Sequence, residues 1–552
     1  MTTNVLYYGD NLDILRRYIP DESVSLVYLD PPFNSDRNYN VIFKDESGRK
    51  SDAQLLAFED TWHWGPSAEA TYAYLTETGR HQGRVPDTVS TLVAALRKGI
   101  GENQMLAYLV EMAVRLVELR RVLTPTGSLY LHCDPTASHY LKVIMDGVFG
   151  PEHFLADLIW KRTTTHSDAK RWSPDADNIL AYSKTERFTF NPVYTADSDA
   201  YRAGEYRFTD PDGRRFALGD IASPNPRPNL MYEWKGHAPP AKGWRFSVET
   251  MTQLDNEGRI FYRGEGKRPR VKRYLDEMKG TRVGSVWTDL PNVHPWSKER
   301  LGYPTQKPLG LLERIISTSS NQGDVLLDPF CGCGTALVAA QKLGRQWIGI
   351  DITYLSIAVM RARLKDTFGL ADVEVIGQPT EVDGARQLAQ SPEGRYQFQW
   401  WALGLIDAQP VGGGEKKGAD RGIDGHVTFT GQDKKLESVL VSVKSGHVTS
   451  GQVRDLKGTV EREKAAMGIF VTLDEPTREM NLEATTAGIY RVWERDYPKI
   501  QILSIRDLLE LGRKPSLPPL VLPTFQRAQR EMERGGEQLR LDDPDPGRGL
   551  AR

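Results

Sequence analysis

The sequence predicts an α/β protein whose main domain contains a doubly wound sheet. Short apolar stretches alternate with helical ones before residue 161 and again in residues 301–370, a pattern typical of strand–helix–strand units. Three of the apolar stretches end in an acid, at Asp30, Asp328 and Asp351. Because α/β sheets bind ligands at the carboxyl ends of their strands, we expect these acids at a ligand crevice.

The most informative stretch spans residues 325–351. Its first apolar strand ends in Asp328, a turn containing Gly332 and Gly334 follows, and after a helix the next strand ends in Asp351. Glycines let a backbone approach a ligand closely, and an acid about 20 residues further on can hold ribose hydroxyls. Such a turn alone is often only a tight turn, but the two acids favour a nucleoside. No Lys-Ser/Thr pair follows the glycines, which argues against a nucleoside triphosphate.

A second motif follows the apolar strand at residues 23–29, where Asp30 precedes Pro31, Pro32 and Phe33. Alone, the two prolines can simply end the strand. Together with Asp-Pro-Phe-Cys-Gly-Cys-Gly-Thr at residues 328–335, however, the motif strongly resembles the signatures of DNA amino-methyltransferases. The order of the two motifs is that of the family's β group, and the resemblance covers roughly residues 1–370.

The resemblance implies a Rossmann-like methyltransferase sheet that uses S-adenosyl-L-methionine to methylate an exocyclic base nitrogen. It places Asp328 near the methionine amine and Asp351 at the ribose, with Thr305 and Lys307 near the methionine carboxylate. The full set of cofactor residues that it implies is Asp10, Thr305, Lys307, Asp328, Phe330, Gly332, Gly334, Thr335 and Asp351. The implied catalytic residues are Asp30, Pro31, Pro32 and Phe33.

Two further polar residues have more than one interpretation. Asp10 lies in a turn before a helix, where it can cap the helix, and the family has this element beside the adenine of the cofactor. Both roles can hold at once. His132 ends the strand at residues 128–134, on the side where Asp30 should lie. It either contributes to the pocket for the target base or is a structural histidine.

Charge is segregated along the chain. The whole protein has a formal net charge of −2, whereas residues 161–300 contain 25 Lys and Arg against 19 Asp and Glu. The basic run at residues 267–273 is the local peak. Arginines interleaved with aromatic residues suit phosphate contact and base reading, and β-group enzymes have a target recognition region here. The alternative is that the run is a solvated face.

The C-terminal third resembles the Mrr-type restriction nucleases. Asp424 precedes one strand and Lys444 ends the next, as in nucleases whose acids hold a divalent metal and whose lysine activates water. Ser442 stands where those nucleases have Glu or Gln, and a hydroxyl is a poor Mg²⁺ ligand. Asp424 is the candidate Mg²⁺ ligand, and an active nuclease and a DNA-binding remnant both remain open.

The predicted domain organisation follows from these motifs. We expect the methyltransferase catalytic half at 1–160, the target recognition region at 161–300, the cofactor-binding half at 301–370, a linker at 371–390, the nuclease-like domain at 391–514, and a largely disordered tail at 515–552 with a short helix around residues 526–534.

Composition limits the location and the partners. There is no run of about 18 apolar residues and no signal-like start, so we expect no membrane association. Only three cysteines occur, which favours a reducing cytoplasm. The resemblance implies a prokaryotic or phage protein at the nucleoid, bound to double-stranded DNA, with a homodimer or a restriction or defence protein as a further partner.

Adenine N6 is the favoured target, because Asp-led motifs in this family lean towards adenine and Ser-led motifs towards cytosine N4. Cytosine N4 is therefore the first alternative. A second is a restriction protein whose main activity is metal-dependent DNA cleavage. A third is a DNA-binding scaffold of a defence complex with neither activity.

Overall fold

The structure is a computed structural model. It describes residues 1–32, 63–164, 172–197, 199–264, 267–294, 296–303, 305–390, 394–411, 423–432, 435–519, 521, 528 and 530, and the backbone alone of residues 40–44, 50–56, 392 and 393. Phe33 and the helix expected around residues 526–534 lie outside the residues described in full.

The strands and helices are numbered in chain order. The strands are β1 (Val5–Tyr8), β2 (Val24–Leu29), β3 (Asn40–Lys44), β4 (Lys50–Leu56), β5 (Leu123–Cys133), β6 (Phe154–Lys161), β7 (Ala176–Ser183), β8 (Tyr194–Thr195), β9 (Phe208–Thr209), β10 (Arg215–Gly219), β11 (Ile260–Phe261), β12 (Arg270–Tyr274), β13 (Thr281–Arg282), β14 (Val286–Trp287), β15 (Val325–Asp328), β16 (Gln346–Asp351), β17 (Glu374–Ile376), β18 (Gln409–Pro410), β19 (Gly425–Thr430), β20 (Leu436–Lys444), β21 (Met467–Thr472), β22 (Ile489–Val492), β23 (Arg495–Pro498) and β24 (Ile500–Ser504). The α-helices are α1 (Asn11–Tyr18), α2 (Pro66–Thr76), α3 (Thr78–His81), α4 (Asp87–Ile100), α5 (Gln104–Val122), α6 (Pro135–Phe149), α7 (Asp199–Glu205), α8 (Val248–Asn256), α9 (Leu309–Ser319), α10 (Thr335–Lys342), α11 (Tyr354–Phe368), α12 (Val382–Leu388), α13 (Pro392–Leu405), α14 (Ser450–Arg462), α15 (Arg478–Thr486) and α16 (Ile505–Leu509).

The largest sheet of the described chain has nine strands in the order β14-β6-β7-β5-β2-β15-β16-β1-β17. Strand β7 pairs antiparallel with β5 and β6, and every other pair in this sheet is parallel. Helices such as α1, α5, α10 and α11 connect its parallel strands, so the predicted doubly wound α/β fold is confirmed.

Burial explains why the central strands read as continuous apolar runs. Both faces of a parallel sheet are covered by helices, so side chains on both faces avoid water. In β2, Leu26, Val27 and Leu29 are fully buried. Helix α5 contributes buried side chains around most of its circumference and packs in the same core.

The stretch at 371–390, which we predicted to be a linker, contains regular structure. Strand β17 adds to the edge of the large sheet by pairing with β1, and Ala385 of α12 is buried in the C-terminal core. Strand β17 has only three residues, of which two are apolar, and a pattern this short cannot be recognised in a sequence.

The segment Pro192–Gly284 forms a compact unit of its own. It contains the antiparallel sheet β11-β12-β10-β9 and the pair β13-β8. Its small core includes Ile221, Trp234, Trp244 and Met251. This unit lies within the range predicted for target recognition.

The C-terminal region contains a separate five-stranded sheet in the order β18-β19-β20-β21-β24. Strands β20, β21 and β24 are parallel, whereas β18 and β19 form an antiparallel edge. Phe398 and Trp401 of α13 are buried in its core. Among the described residues, no helix has both the length and the apolar character needed to span a membrane.

Candidate active site

The candidate site lies where β2 and β15 end. These strands are parallel neighbours, with Leu26 paired to Leu326 and Val27 to Leu327. Their carboxyl ends are therefore side by side, although they are about three hundred residues apart in sequence. A cavity of about 570 Å³ opens there, and both Asp30 and the glycine turn line it.

Backbone conformation explains the glycines of the turn after β15. Gly332 has φ +49° and Gly334 has φ +72°, a region that other residues enter only with strain. A Cβ on Gly334 would lie 2.7 Å from Met360 Cγ, and one on Gly332 would lie 3.2 Å from Tyr303. Gly332 lines the cavity, whereas Gly334 packs against the helix behind the turn.

The acid at the tip of β16 is bonded to this turn. The backbone amide of Gly332 donates to Asp351 Oδ2 at 2.9 Å, and the amide and hydroxyl of Thr353 both donate to Oδ1 at 2.9 Å. Burial raises the pKa of Asp351, although these hydrogen bonds oppose the shift. The carboxylate and the turn therefore form one rigid unit in the cavity wall.

Asp328 is the most deeply buried acid of the cavity wall. The backbone amide of Phe330 donates to its Oδ1 at 3.0 Å. Burial raises the pKa of Asp328 well above its ordinary value, and the charges of Asp30 and Asp351 act in the same direction. A cationic ligand group would favour the ionised form of this carboxyl.

Thr335, predicted to bind the cofactor, begins α10 and lines the cavity together with Phe330. The buried Arg363 donates to the Thr335 hydroxyl and to the Cys333 carbonyl, both at 3.0 Å. Sequence patterns did not identify Arg363, because nothing local to it signals a contact with residues about thirty positions earlier.

Asp10 both caps a helix and lines the cavity. Its side chain accepts from the backbone amides of Leu12 at 2.9 Å and Asp13 at 3.2 Å, at the start of α1. Arg115 also donates to Asp10 at 3.0 Å and to Asn11 at 2.6 Å. Arg115 is a buried cation of the cavity wall that the sequence showed only as a polar position on a helix.

At the tip of β2, Asp30 forms an ion pair with Lys307. Both side chains are largely buried, and both line the cavity with Pro32 and Thr305. The resemblance paired Lys307 with a cofactor carboxylate instead, and that role stays a prediction. Pro31 is buried beside Asp30.

His132 has polar partners on both sides. The Tyr28 hydroxyl lies 3.0 Å from its Nδ1, and Asp177 Oδ2 lies 3.2 Å from its Nε2. Tyr28 belongs to the cavity wall. Neither Tyr28 nor Asp177 was predicted as a site residue, because their relation to His132 depends on strand pairing.

The basic run at 267–273 belongs to the compact unit Pro192–Gly284. Lys272 pairs with Asp210 at 2.6 Å, and Arg270 pairs with Asp220 at 3.3 Å. Lys267 and Arg268 are exposed. Part of the run is thus neutralised by neighbouring acids, and its contact with DNA stays a prediction.

In the C-terminal sheet, Asp424 is surrounded by donors. The Val443 amide at 2.6 Å, the Ser442 hydroxyl at 3.2 Å and the Lys444 ammonium at 3.3 Å all reach Asp424 Oδ2. The Gln399 amide reaches Oδ1 at 3.1 Å. The structure thus brings the predicted Asp424 and Lys444 together. Within the described ranges, no three His, Cys, Asp or Glu side chains gather as a metal site would require.

Comparison with known proteins gives two family matches. Residues 24–359 match the model of a family described as DNA methylase. Residues 412–510 match a model described as NACHT-associated inactive Restriction Endonuclease 1.

Three relatives illustrate the similarity. The type II methyltransferase M.EcaI of Enterobacter cloacae is 37% identical over 250 residues, which cover 44% of this chain and 54% of the relative. The type II methyltransferase M.HpaI of Haemophilus parainfluenzae is 43% identical over 46% of this chain and 58% of its own length. The StyLTI Mod subunit, a type III restriction-modification enzyme of Salmonella typhimurium, is 24% identical over 62% and 50%. The chain thus spans about half the length of the curated relatives it matches.

Solved structures match a larger share of the chain at lower sequence identity. A protein described as a DNA modification methylase of Thermus thermophilus, complexed with S-adenosyl-L-methionine, is 16% identical with a TM-score of 0.32, over 68% of this chain and 99% of that one. The cytosine-N4-specific PvuII DNA methyltransferase is 14% identical with a TM-score of 0.28, over 65% of this chain and 86% of that one.

Since the DNA methylase model matches more than half of the sequence, the chain belongs to that family.

Proposed function

We propose that this chain transfers a methyl group from S-adenosyl-L-methionine to the N6 amine of an adenine turned out of duplex DNA, in a restriction-modification or phage-defence setting. The observation that carries the proposal is the shared cavity between Asp30 and the glycine turn. Its volume of about 570 Å³ falls within the range of about 300–1,000 Å³ that is usual for small-molecule sites. Membership of the DNA methylase family supports the same reaction class.

The donors and acceptors of the cavity wall fit the cofactor. Asp351 is held rigidly by Gly332 and Thr353, and its carboxylate has further lone pairs for ribose hydroxyls. The buried carboxyl of Asp328 suits a ligand ammonium, which would offset the burial that raises its pKa. When bound, S-adenosyl-L-methionine supplies an electrophilic methyl group on a sulfonium sulfur.

The proposed role of Asp30 is to activate the exocyclic amine of the target base, which is a poor nucleophile. The lone pair of an exocyclic amine is delocalised into the ring, and acceptors on its N–H groups favour a tetrahedral nitrogen. The Asp30 carboxylate and the Pro31 carbonyl can each accept one N–H. A carboxylate has about four lone-pair sites, so Asp30 can bond the amine while Lys307 holds it in place. Stacking by Phe33 is part of the proposal, although that residue lies outside the described ranges.

The base has to leave the duplex before the reaction, because a stacked and paired amine cannot reach the cofactor. Extrusion costs a few kcal/mol, which pocket contacts must offset. The fixed backbone angles of Pro31 and Pro32 keep the Asp30 carboxylate and the Pro31 carbonyl at a constant spacing. Transfer then depends on positioning the amine in line with the methyl group.

The alternative target is the N4 amine of cytosine. It has the same pair of N–H groups, so the contacts at Asp30 do not exclude it. The acid that leads the motif favours adenine.

The first prediction tests the reaction and the base together. Incubating the protein with S-adenosyl-L-methionine and unmethylated DNA, followed by digestion to nucleosides and mass spectrometry, should yield N6-methyladenine. Asp30→Ala should lower the rate at least about a hundredfold, because it removes a preorganised acceptor. Calorimetry should show unchanged binding of S-adenosyl-L-methionine to this variant.

Other outcomes of this experiment would contradict the target base, the reaction or the role of Asp30. N4-methylcytosine would show that the base is wrong, and no methylated nucleoside from the wild-type protein would overturn the proposed function. Loss of both methylation and cofactor binding in Asp30→Ala would refute the role given to Asp30.

A second prediction follows from the burial of Asp328. A carboxyl whose pKa is raised on folding stabilises the fold fully at low pH, and this contribution is lost as pH rises through the raised pKa. The Asn side chain of Asp328→Asn cannot ionise, so the variant does not lose this contribution. The Tm of the variant minus the Tm of the wild type should therefore increase between pH 5 and pH 8. Its affinity for S-adenosyl-L-methionine should fall at least about tenfold, because a charge-assisted hydrogen bond is lost.

Asp13→Asn is the matched control, since Asp13 is an exposed acid of α1 with 63% of its side chain accessible. It should leave the affinity for S-adenosyl-L-methionine unchanged. If Asp328→Asn binds the cofactor as tightly as the wild type, Asp328 does not hold the ammonium.

We further propose that the C-terminal region does not cleave DNA and acts as a DNA-binding remnant. The bonds from Ser442, Val443 and Gln399 to Asp424 support the absence of cleavage, because Mg²⁺ would have to compete with these donors for the carboxylate. The second acid that would complete a Mg²⁺ site is replaced by Ser442, so the residues do not fit the metal. The family description of residues 412–510 as inactive points the same way.

The third prediction is that supercoiled plasmid stays intact when incubated with the protein and Mg²⁺, as measured by gel electrophoresis. Lys444→Ala is the matched variant and should behave identically. Mg²⁺-dependent nicking or linearisation that disappears in Lys444→Ala would instead establish an active nuclease.

The proposed partners are double-stranded DNA and either a second copy of the chain or a restriction or defence protein. A type III relative is itself called a Mod subunit, which supports a partner subunit. The basic excess of residues 161–300 supports contact with the phosphate backbone.

A further inference from the structure

A buried network of hydrogen-bonded polar side chains extends from the cavity wall into the sheet. The Tyr28 hydroxyl bonds to His132 at 3.0 Å, His132 bonds to Asp177 at 3.2 Å, and Arg162 pairs with Asp177 at 3.1 Å. Tyr28, His132 and Asp177 are each no more than 2% exposed. Burying so many polar groups is costly unless each is satisfied, so the arrangement calls for an explanation beyond packing.

The register of neighbouring strands brings the side chains of this network together. Tyr28 of β2 pairs with Tyr130 of β5, which places His132, two residues further on, on the same face and one step diagonal to Tyr28. His132 in turn pairs with Ile179 of β7, and Asp177 is again two residues away. The three side chains therefore step across neighbouring strands on the side of β2 that faces away from β15.

The network lies on the opposite side of β2 from the predicted cofactor residues. Asp328 and Asp351 end β15 and β16, on one side of β2, whereas His132 and Asp177 belong to β5 and β7 on the other. Tyr28 lines the cavity and bonds toward β5. Tyr28 thus lies on the side of the cavity away from β15 and β16. A cofactor held by Asp328 and Asp351 would leave that side for the target base.

The partners of His132 determine what Tyr28 can offer. An ionised carboxylate only accepts hydrogen bonds, so Asp177 takes the hydrogen on His132 Nε2. Burial opposes ionisation of Asp177, but the hydrogen bond from His132 and the positive charges of Lys307 and Arg162 outweigh it and lower the pKa of Asp177. When the imidazole is neutral, its Nδ1 is then an acceptor and takes the Tyr28 proton. Only oxygen lone pairs remain for Tyr28 to present to a ligand.

We propose that Tyr28 is a further catalytic residue, whose hydroxyl oxygen accepts an N–H of the target amine, and that His132 and Asp177 are positioning residues that keep it an acceptor. The inference rests on the proposed function and extends it. The N–H concerned is the one that the Pro31 carbonyl also reaches, in a three-centre bond.

The chemistry explains why an acceptor is useful here and a donor is not. As the N–C bond forms and the S–C bond breaks, the amine nitrogen gains the positive charge of the sulfonium, and it later releases one proton to water. An acceptor on N–H is therefore more stabilising in the transition state than before it. A hydroxyl that donated to the ring nitrogen beside the amine would draw the amine lone pair into the ring and oppose the reaction.

The test compares Tyr28→Phe with Tyr130→Phe under single-turnover conditions on DNA that the wild type methylates. Tyr130 is the register partner of Tyr28, and its buried hydroxyl bonds to Ser319 at 2.5 Å, so both variants lose one buried hydrogen bond in the same sheet. Tyr28→Phe should lower the single-turnover methylation rate about ten- to a hundredfold, while the KM for DNA in a separate steady-state assay and the cofactor affinity stay within about twofold. Tyr130→Phe should leave the rate unchanged.

A double-mutant cycle separates positioning from a structural role. His132→Ala should lower the rate as much as Tyr28→Phe does, and should lower it no further in the Tyr28→Phe background. His132→Asn, whose amide oxygen can still take the Tyr28 proton, should recover most of the rate. Nitrogen NMR of histidine-labelled protein should show His132 protonated on Nε2 only.

The outcomes distinguish the inference from the proposed function. If the wild type methylates DNA and Tyr28→Phe stays within twofold of it, or if His132 Nδ1 carries a proton, the inference is wrong. If the wild type methylates nothing, the proposed function itself has failed. Should His132→Ala not fold, the Tyr28→Phe rate and the NMR spectrum of the wild type still decide.

Discussion

The parallel pairing of β2 with β15 is the constraint on which the rest of the site depends. It aligns Val27 with Leu327, so that Asp30 and Asp328 emerge at one edge of the sheet. A helix of one strand–helix unit and a glycine turn of another then form the two walls of the cavity. Shifting this register by one residue would turn every side chain of a strand to the opposite face, which would separate the two acids.

The cavity wall concentrates titratable groups of both signs. Asp328 and Asp351 are acids with raised pKa values, while Lys307 and Arg115 are largely buried cations paired with Asp30 and with the half-exposed Asp10. Buried ion pairs contribute little net stability, since desolvation offsets their attraction. Their concentration in one crevice is typical of a functional site, where stability is given up for a preorganised electrostatic environment.

The sequence predicted those features that are encoded locally. An apolar run followed by an acid identifies a strand tip, and closely spaced glycines identify a turn with positive φ, so Asp30, Asp351 and Gly332 were found where the cavity is. The ion pair between Asp30 and Lys307 joins residues far apart in sequence and has no local pattern. The bond between Tyr28 and His132 depends on diagonal strand neighbours, which a sequence shows only once the strand order is known.

The same contrast applies to the C-terminal region, where Asp424 and Lys444 were predicted but the bond from Gln399 of α13 was not. That helix also faces the methyltransferase sheet, since Gln397 accepts from the Tyr8 hydroxyl and the Tyr354 amide at 3.3 Å. The two regions thus share a packed helix.

The central claim is that the cofactor and the target base meet between the tips of β2 and β15. A crystal structure of the protein with S-adenosylhomocysteine tests it most directly. We expect the ribose hydroxyls on Asp351, the ammonium at Asp328 and the sulfur directed toward Asp30. An adenosyl group bound elsewhere, or a sulfur directed away from Asp30, would contradict the account.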